Sequence, residues 1–110
     1  EIARVLYPAL GSDPGHRLWK RDFTGASGLF TIELKQREPQ AVAAFLDGMA
    51  HFGIGYSWGG FESLILPAHF QRSYPRPADE GPLVRLHIGL EDVEDLKADL
   101  ESGLERLGRA

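Results

Sequence analysis

The chain has 110 residues, a formal net charge of −4 at pH 7 and no cysteine. This length suits one domain with a single modest core, and the acidic balance gives no long-range attraction for nucleic acid or an anionic membrane. The lack of cysteine excludes a disulfide, a thiolate zinc site and a thiol nucleophile, and it is consistent with the cytoplasmic location that we expect.

The pattern of apolar and turn-forming residues predicts five strands and three helices. The strands are expected over residues 2–7, 29–34, 51–55, 64–66 and 83–88. The first helix is expected over His16–Asp22, with Ser12 or Asp13 as its N-cap. The second helix opens at Pro39, and the third follows Asp92 as its N-cap. Residues 67–82 contain four prolines and predict an irregular loop. The first strand is apolar almost from Glu1, so we expect the chain to be part of a longer polypeptide.

Each of the two longer helices carries one apolar stripe at helical spacing. The stripe of the second helix is Val42, Phe45, Leu46 and Met49, and that of the last helix is Val93, Leu96, Leu100, Leu104 and Leu107. Such stripes cover one face of a sheet. The sequence therefore predicts a single α+β domain over residues 1–110, with two layers: a small, mostly antiparallel sheet and helices packed on one face.

The strand over residues 83–88 alternates strictly between apolar and polar residues. Successive side chains of a strand point to opposite faces, so Val84, Leu86 and Ile88 are expected to face the core. Arg85 and His87 then share the other face, which the helices leave free to meet a ligand. The alternative is a face that is simply solvated, as is common in antiparallel sheets.

Arg85 is the strongest candidate for ligand binding. A guanidinium binds a carboxylate through two parallel hydrogen bonds, and a strand fixes its direction better than a loop does. The alternative is a surface arginine paired with one of the chain's many acids.

The segment Ser57–Trp58–Gly59–Gly60 is the second candidate. Two glycines let the backbone pass close to a ligand while the indole forms a wall. The alternative is a tight turn with Trp58 anchored in the core. The glycines do not form a dinucleotide-binding fingerprint, the histidines show no metal-ligand spacing, and neither a serine triad nor a nucleophilic lysine is indicated.

Five separate motifs resemble the carboxy-terminal domain of the Cys/Met-metabolism family of pyridoxal-phosphate enzymes, which have fold type I. They are Val5–Pro8, Pro14–His16, Trp19–Gly25, Ser57–Leu64 and Leu86–Val93, and the resemblance covers about residues 2–108. Trp58 and His87 favour its cystathionine β-lyase branch, because sibling γ-synthases and γ-lyases more often carry a leucine-type residue and a serine there.

The resemblance implies that Arg85 binds the α-carboxylate of an amino-acid substrate, and that Tyr56, Ser57 and Trp58 line the substrate side of the cofactor. The implied reaction is β-elimination of cystathionine to homocysteine, pyruvate and ammonia, in methionine biosynthesis, by a full-length homotetramer. A γ-lyase, a γ-synthase, a cysteine-S-conjugate β-lyase or a non-catalytic ligand-binding or interaction module stay open as alternatives.

The catalytic machinery of that family belongs to a larger preceding domain. Its Schiff-base lysine, phosphate-binding residues and pyridine-nitrogen aspartate match nothing in this chain, so we expect no catalytic residue, no cofactor-binding residue and no metal ligand here. We also expect that the chain by itself neither holds pyridoxal 5'-phosphate nor turns over substrate, and that the surface facing the absent domain is exposed and open to self-association.

Overall fold

The computed structural model describes residues 1–70, 73 and 77–109. Within them the elements are β1 (Ile2–Leu6), α1 (His16–Asp22), β2 (Leu29–Leu34), α2 (Pro39–Asp47), β3 (Gly53–Ile54), β4 (Leu64–Pro67), β5 (Leu83–His87) and α3 (Val93–Arg109). The strands form one sheet in the order β1-β2-β5-β4-β3, in which β3 and β4 pair in parallel and the other neighbours are antiparallel. The predicted α+β class is confirmed. Residues 71, 72 and 74–76 of the predicted 67–82 loop lie outside the described residues.

The core lies between the sheet and the two longer helices. Its buried side chains are Ile32, Leu34, Ala41, Phe45, Leu46, Phe52, Ile65, Val84, Leu86, Leu96 and Leu107. Val42, Met49, Leu100 and Leu104 pack against this cluster, as their helical spacing predicts. Helix α1 has no buried residue, so the helices that bury an apolar face are α2 and α3. No helix among the described residues is long and apolar enough to cross a bilayer.

The predicted stripe of α3 is wrong at its first position. Val93 is 63 % exposed, because it is the first residue of the helix and lies ahead of the turn that meets the core. The buried positions of α3 include Asp99 and Gly103 as well as leucines. A Cβ on Gly103 would lie only 2.8 Å from a ring carbon of Phe45, so glycine here lets α2 and α3 approach closely.

Asp99 binds the backbone that leaves α2. Its Oδ1 accepts the N–H of Ala50 at 2.8 Å, and its Oδ2 accepts the N–H groups of His51 at 2.8 Å and Phe52 at 3.0 Å. These N–H groups therefore have a side-chain acceptor and do not pair with a strand. The strand predicted over 51–55 is consequently confined to Gly53–Ile54.

The predicted caps have different outcomes. Asp92 is confirmed at the start of α3, where its Oδ1 accepts the N–H of Glu94 at 2.8 Å. The N-cap of α1 is Gly15, with no side-chain cap, so the prediction of Ser12 or Asp13 at this position is wrong. Asp13 instead accepts the N–H groups of Gly15 and Tyr7, which ties the turn to the end of β1.

The loop between β3 and β4 is tied to the loop that follows β5. Ser63 is buried and its Oγ donates to Oε1 of Glu91 at 2.7 Å, while Oε2 of Glu91 accepts the Ser63 N–H at 3.1 Å. The same Oγ accepts the N–H of Gly89 at 2.8 Å. The hydrogen bond from the Ser63 hydroxyl, aided by that from its N–H, holds the pKa of Glu91 below its usual value.

We expect Asp99→Asn to destabilise the fold by about 2–3 kcal/mol, because charge-assisted hydrogen bonds are lost and an amide NH₂ is set against backbone N–H donors. Burial raises the pKa of Asp99, but the three N–H donors outweigh it and the pKa is lowered on balance. A carboxylate with a lowered folded pKa stabilises the protein above its unfolded pKa, and this stabilisation is lost as pH falls through the folded value. Urea unfolding at neutral and acidic pH should therefore show the difference from wild type shrinking in acid. Glu101→Gln, on the exposed side of α3, is the control and should change little at either pH.

We expect Gly89→Ala to destabilise the chain by about 1–3 kcal/mol, the usual cost of overpacking. A Cβ there would overlap the carbonyl oxygen of Phe61, which also accepts the N–H of Leu90 at 2.8 Å. Gly60→Ala is the matched control in the connected loop, because no atom lies within 4 Å of its added Cβ. Equal thermal stability of the two variants would contradict this account of the junction.

Candidate functional site

Strand β5 lies at the centre of the sheet and presents Arg85 on the face opposite the core. Arg85 stands opposite Thr31 of β2 and Leu66 of β4 in the two antiparallel ladders. Its neighbours Val84 and Leu86 are fully buried on the helix side. The predicted division of this strand between two faces is confirmed.

The expectation that the other face is free is wrong. His87 is only 8 % exposed, and Leu66 and Leu83, which share its face, are 7 % and 3 % exposed. The loop between β3 and β4 crosses this side, with the backbone of Gly59 and Gly60 at hydrogen-bond distance from His87. Alternation along a strand predicts which face a side chain takes, but it carries no information on a loop that covers the face.

What stays accessible beside Arg85 is a cavity of about 250 Å³. It is lined by Thr31, Tyr56, Leu66, Pro67, Ala68, His69, Phe70 and Arg85. Arg85 is half-buried as a residue, and its Nη2 donates to the backbone carbonyl of Tyr56 at an exposed position. Within residues 1–70, 73 and 77–109 no carboxylate pairs with Arg85, so this part of the chain does not show the surface ion pair considered as the alternative.

The loop residues predicted for the site are exposed. Tyr56 is 83 % exposed and Trp58 is 62 % exposed, so the alternative in which Trp58 anchors the core is wrong. Tyr56 lines the cavity with Arg85, whereas Ser57 and Trp58 follow it on the loop and do not line that cavity. Gly59 has a φ of +86°, a conformation that favours glycine. The structure thus brings Arg85 and Tyr56 together and leaves Ser57 and Trp58 beside them.

Two features of this region were missed from the sequence. Ser63 and Glu91, which fix the far end of the loop, are 28 positions apart and have no local pattern that joins them. His69 lines the cavity although its segment was predicted only as irregular loop.

The residues present do not fit a complete cofactor site. Lys20, Lys35 and Lys97 are all exposed, and none lines the cavity beside Arg85. In the described part of the chain no group of three or more His, Asp or Glu side chains could hold a metal ion. The geometry can offer a carboxylate a guanidinium in a small cavity, but it offers no amine for covalent attachment of a cofactor.

Several known proteins are similar to this chain over nearly its whole length. The chain is 50 % identical over 97 % of its length to the cystathionine beta-lyase of Escherichia coli, and 46 % identical over 97 % to an L-alanine/L-glutamate racemase of Wolbachia pipientis. Among solved structures, cystathionine gamma synthase from Xanthomonas oryzae in complex with cystathionine matches 98 % of the chain with a TM-score of 0.81 and 37 % identity.

These relatives are longer than this chain. The chain spans 29 % of the Escherichia coli protein, 28 % of the Wolbachia protein and 30 % of the solved Xanthomonas chain. A family model described as Cys/Met metabolism PLP-dependent enzyme matches residues 1–105. The chain therefore belongs to the Cys/Met metabolism family of PLP-dependent enzymes.

Proposed function

We propose that this chain is the carboxy-terminal domain of a PLP-dependent carbon–sulfur lyase of the cystathionine β-lyase type, and that its Arg85 binds the α-carboxylate of the amino-acid substrate. The observation that carries the proposal is the guanidinium of Arg85 at the wall of a cavity, with a backbone carbonyl as its described partner. Its full positive charge is therefore available to an anion.

The arrangement suits a carboxylate for a geometric reason. Nη2 of Arg85 donates to the Tyr56 carbonyl, which fixes the plane of the guanidinium while other N–H groups stay available to a ligand. A planar guanidinium can meet both carboxylate oxygens at once. The cavity of about 250 Å³ has room for the carboxylate end of an amino acid beside the guanidinium. In this proposal the remainder of the substrate extends toward the larger domain.

The proposed reaction is the β-elimination of cystathionine, which with one water gives homocysteine, pyruvate and ammonia. Pyridoxal phosphate supplies the electron-accepting chemistry of such enzymes. In this proposal the preceding larger domain holds the cofactor, and this chain contributes Arg85 together with the loop residues Tyr56, Ser57 and Trp58. The enzyme is proposed to be a cytoplasmic homotetramer.

The exposed loop offers a surface for that larger domain. Ile54, Tyr56, Trp58 and Phe61 are between 58 % and 83 % exposed within eight residues, which is an unusual concentration of solvent-exposed apolar area. We propose that the larger domain covers these side chains in the full-length enzyme. In its absence, the same surface is available for self-association of the chain.

Sibling activities are the second candidate. The similarity to a γ-synthase structure and to a racemase favours a site that serves several amino-acid reactions, because a carboxylate site suits any amino acid. Trp58 and His87 support the β-lyase type by the resemblance of their positions to that branch. If the chain were a non-catalytic module that retains the carboxylate site, its binding to a partner would not depend on amino-acid substrates.

In the full-length enzyme we expect Arg85→Gln to lower kcat/KM for cystathionine at least about tenfold, mainly through KM, because charge-assisted hydrogen bonds contribute about 1.5–3 kcal/mol each. Cofactor absorbance should be unchanged. Steady-state kinetics with the exposed Arg17→Gln as control test this, since Arg17 lies outside the cavity.

A substrate analogue lacking the α-carboxylate makes the test specific. If Arg85 binds that group, wild type and Arg85→Gln should process the analogue equally poorly. The proposed role is wrong if Arg85→Gln loses the same factor on both compounds, or if Arg17→Gln matches it on cystathionine.

We expect the 110-residue chain mixed with pyridoxal phosphate to show no site-selective attachment. Its three lysines are all exposed, so none is favoured for reaction with the aldehyde. Borohydride reduction should therefore fix pyridoxal phosphate on them to similar, low extents. Peptide mass spectrometry measures this. Dominant labelling of one lysine would show that the chain carries its own cofactor site.

A further inference from the structure

We infer that His87 is a positioning residue that holds the Trp58–Gly60 segment over the sheet beside Arg85. The significance of this role for substrate binding depends on the proposed function, but the role itself is defined by the geometry of the loop. His87 is almost fully buried under a loop whose own side chains are exposed.

The imidazole meets both a donor and an acceptor of the loop backbone. The N–H of Gly59 lies 3.3 Å from Nδ1 and 3.2 Å from Nε2, and Nε2 lies 3.0 Å from the carbonyl oxygen of Gly60. The Gly60 carbonyl requires the tautomer with its proton on Nε2, which Nε2 then donates at 3.0 Å. The Gly59 nitrogen is nearly equidistant from the two ring nitrogens, so its N–H meets the face of the imidazole and not a single lone pair. The other tautomer would leave Nε2 facing the carbonyl with a lone pair.

The loop depends on such polar contacts because it has little packing of its own. An added Cβ on Gly59 or Gly60 would meet no atom within 4 Å, and the flanking side chains of Trp58 and Phe61 are exposed. Arg85 binds the carbonyl of Tyr56, and His87 binds Gly59 and Gly60. These alternate residues of β5 therefore hold the backbone on both sides of Trp58.

Other roles for His87 fit the structure less well. It does not line the cavity beside Arg85, and its ring is engaged with the loop, so it is not placed to exchange a proton with a ligand there. The described residues also provide no second and third ligand for a metal at this position. Holding the loop is the role that uses the contacts of the ring with both Gly59 and Gly60.

The test compares a shape mimic with a hydrogen-bonding mimic. In a Trp19→Phe background Trp58 is the single fluorophore, because the chain has two tryptophans. We expect His87→Phe to raise the amplitude of fast local motion of Trp58, measured by time-resolved anisotropy, about twofold, since a released loop moves on the nanosecond scale. His87→Gln, whose amide can donate and accept, should restore most of the wild-type value. His51→Phe replaces an exposed histidine that forms no hydrogen bond with residues 57–60, and it should leave the Trp58 anisotropy unchanged.

A second measurement uses the unmodified chain and does not depend on the variants folding. Long-range ¹H–¹⁵N correlation NMR identifies the tautomer of each histidine, and we expect His87 to carry its proton on Nε2. A proton on Nδ1, an equal mixture of tautomers, or unchanged Trp58 motion in a folded His87→Phe variant would overturn the inference.

These readouts are separate from the test of Arg85 as carboxylate ligand. Neither Trp58 anisotropy nor the His87 tautomer requires a substrate. If Arg85→Gln left cystathionine kinetics unchanged while both readouts held, the carboxylate proposal would fail and the positioning role would stand. The reverse pattern would remove only the role of His87.

Discussion

The antiparallel ladders on both sides of β5 are the constraint on which the site depends. Val84 and Leu86 are fully buried, so their register against β2 and β4 is set by the core. A slip of one residue would exchange the faces of the strand and place Arg85 among the apolar side chains. The direction of the guanidinium is therefore a consequence of core packing, and it needs no ligand to establish it.

The loop over the sheet is stabilised in a different way. Its ends and turns are fixed by hydrogen bonds from Arg85, His87 and the Ser63–Glu91 pair, while its apolar side chains remain exposed. Segments with few buried apolar contacts open at lower free energy than the core does. The wall beside Arg85 is thus the part of this domain whose geometry depends most on individual polar contacts. A larger domain packed on this loop would add the apolar contacts that the loop lacks.

The regular elements could be predicted because their signals are local. Periodic apolar residues predicted α2 and the core-facing side of β5 correctly, and Asp92 marked the start of α3. The exposed Val93 and the Gly15 cap are errors of one turn at a helix end, whereas the larger failures depend on polar contacts between distant parts of the chain. Asp99 shortens β3 from 47–49 positions away, and the loop that covers His87 comes from 27–28 positions earlier. No spacing rule connects such residues, so the exposure of Trp58 and the covered face could only be found in the structure.

In the proposed function, Arg85 binds a group that the substrates of different reactions have in common. A carboxylate is common to every α-amino acid, so a guanidinium that binds it contributes affinity without selecting which bond breaks. The proposed role of Arg85 is therefore compatible with the similarity of this chain to proteins named as a lyase, a racemase and a synthase. We infer that selection among these reactions lies with groups that contact the substrate beyond its carboxylate. In this chain the residues placed closest to that role are on the loop held between Arg85 and His87, which makes the position of Trp58, more than the presence of Arg85, the feature to compare among members of the family.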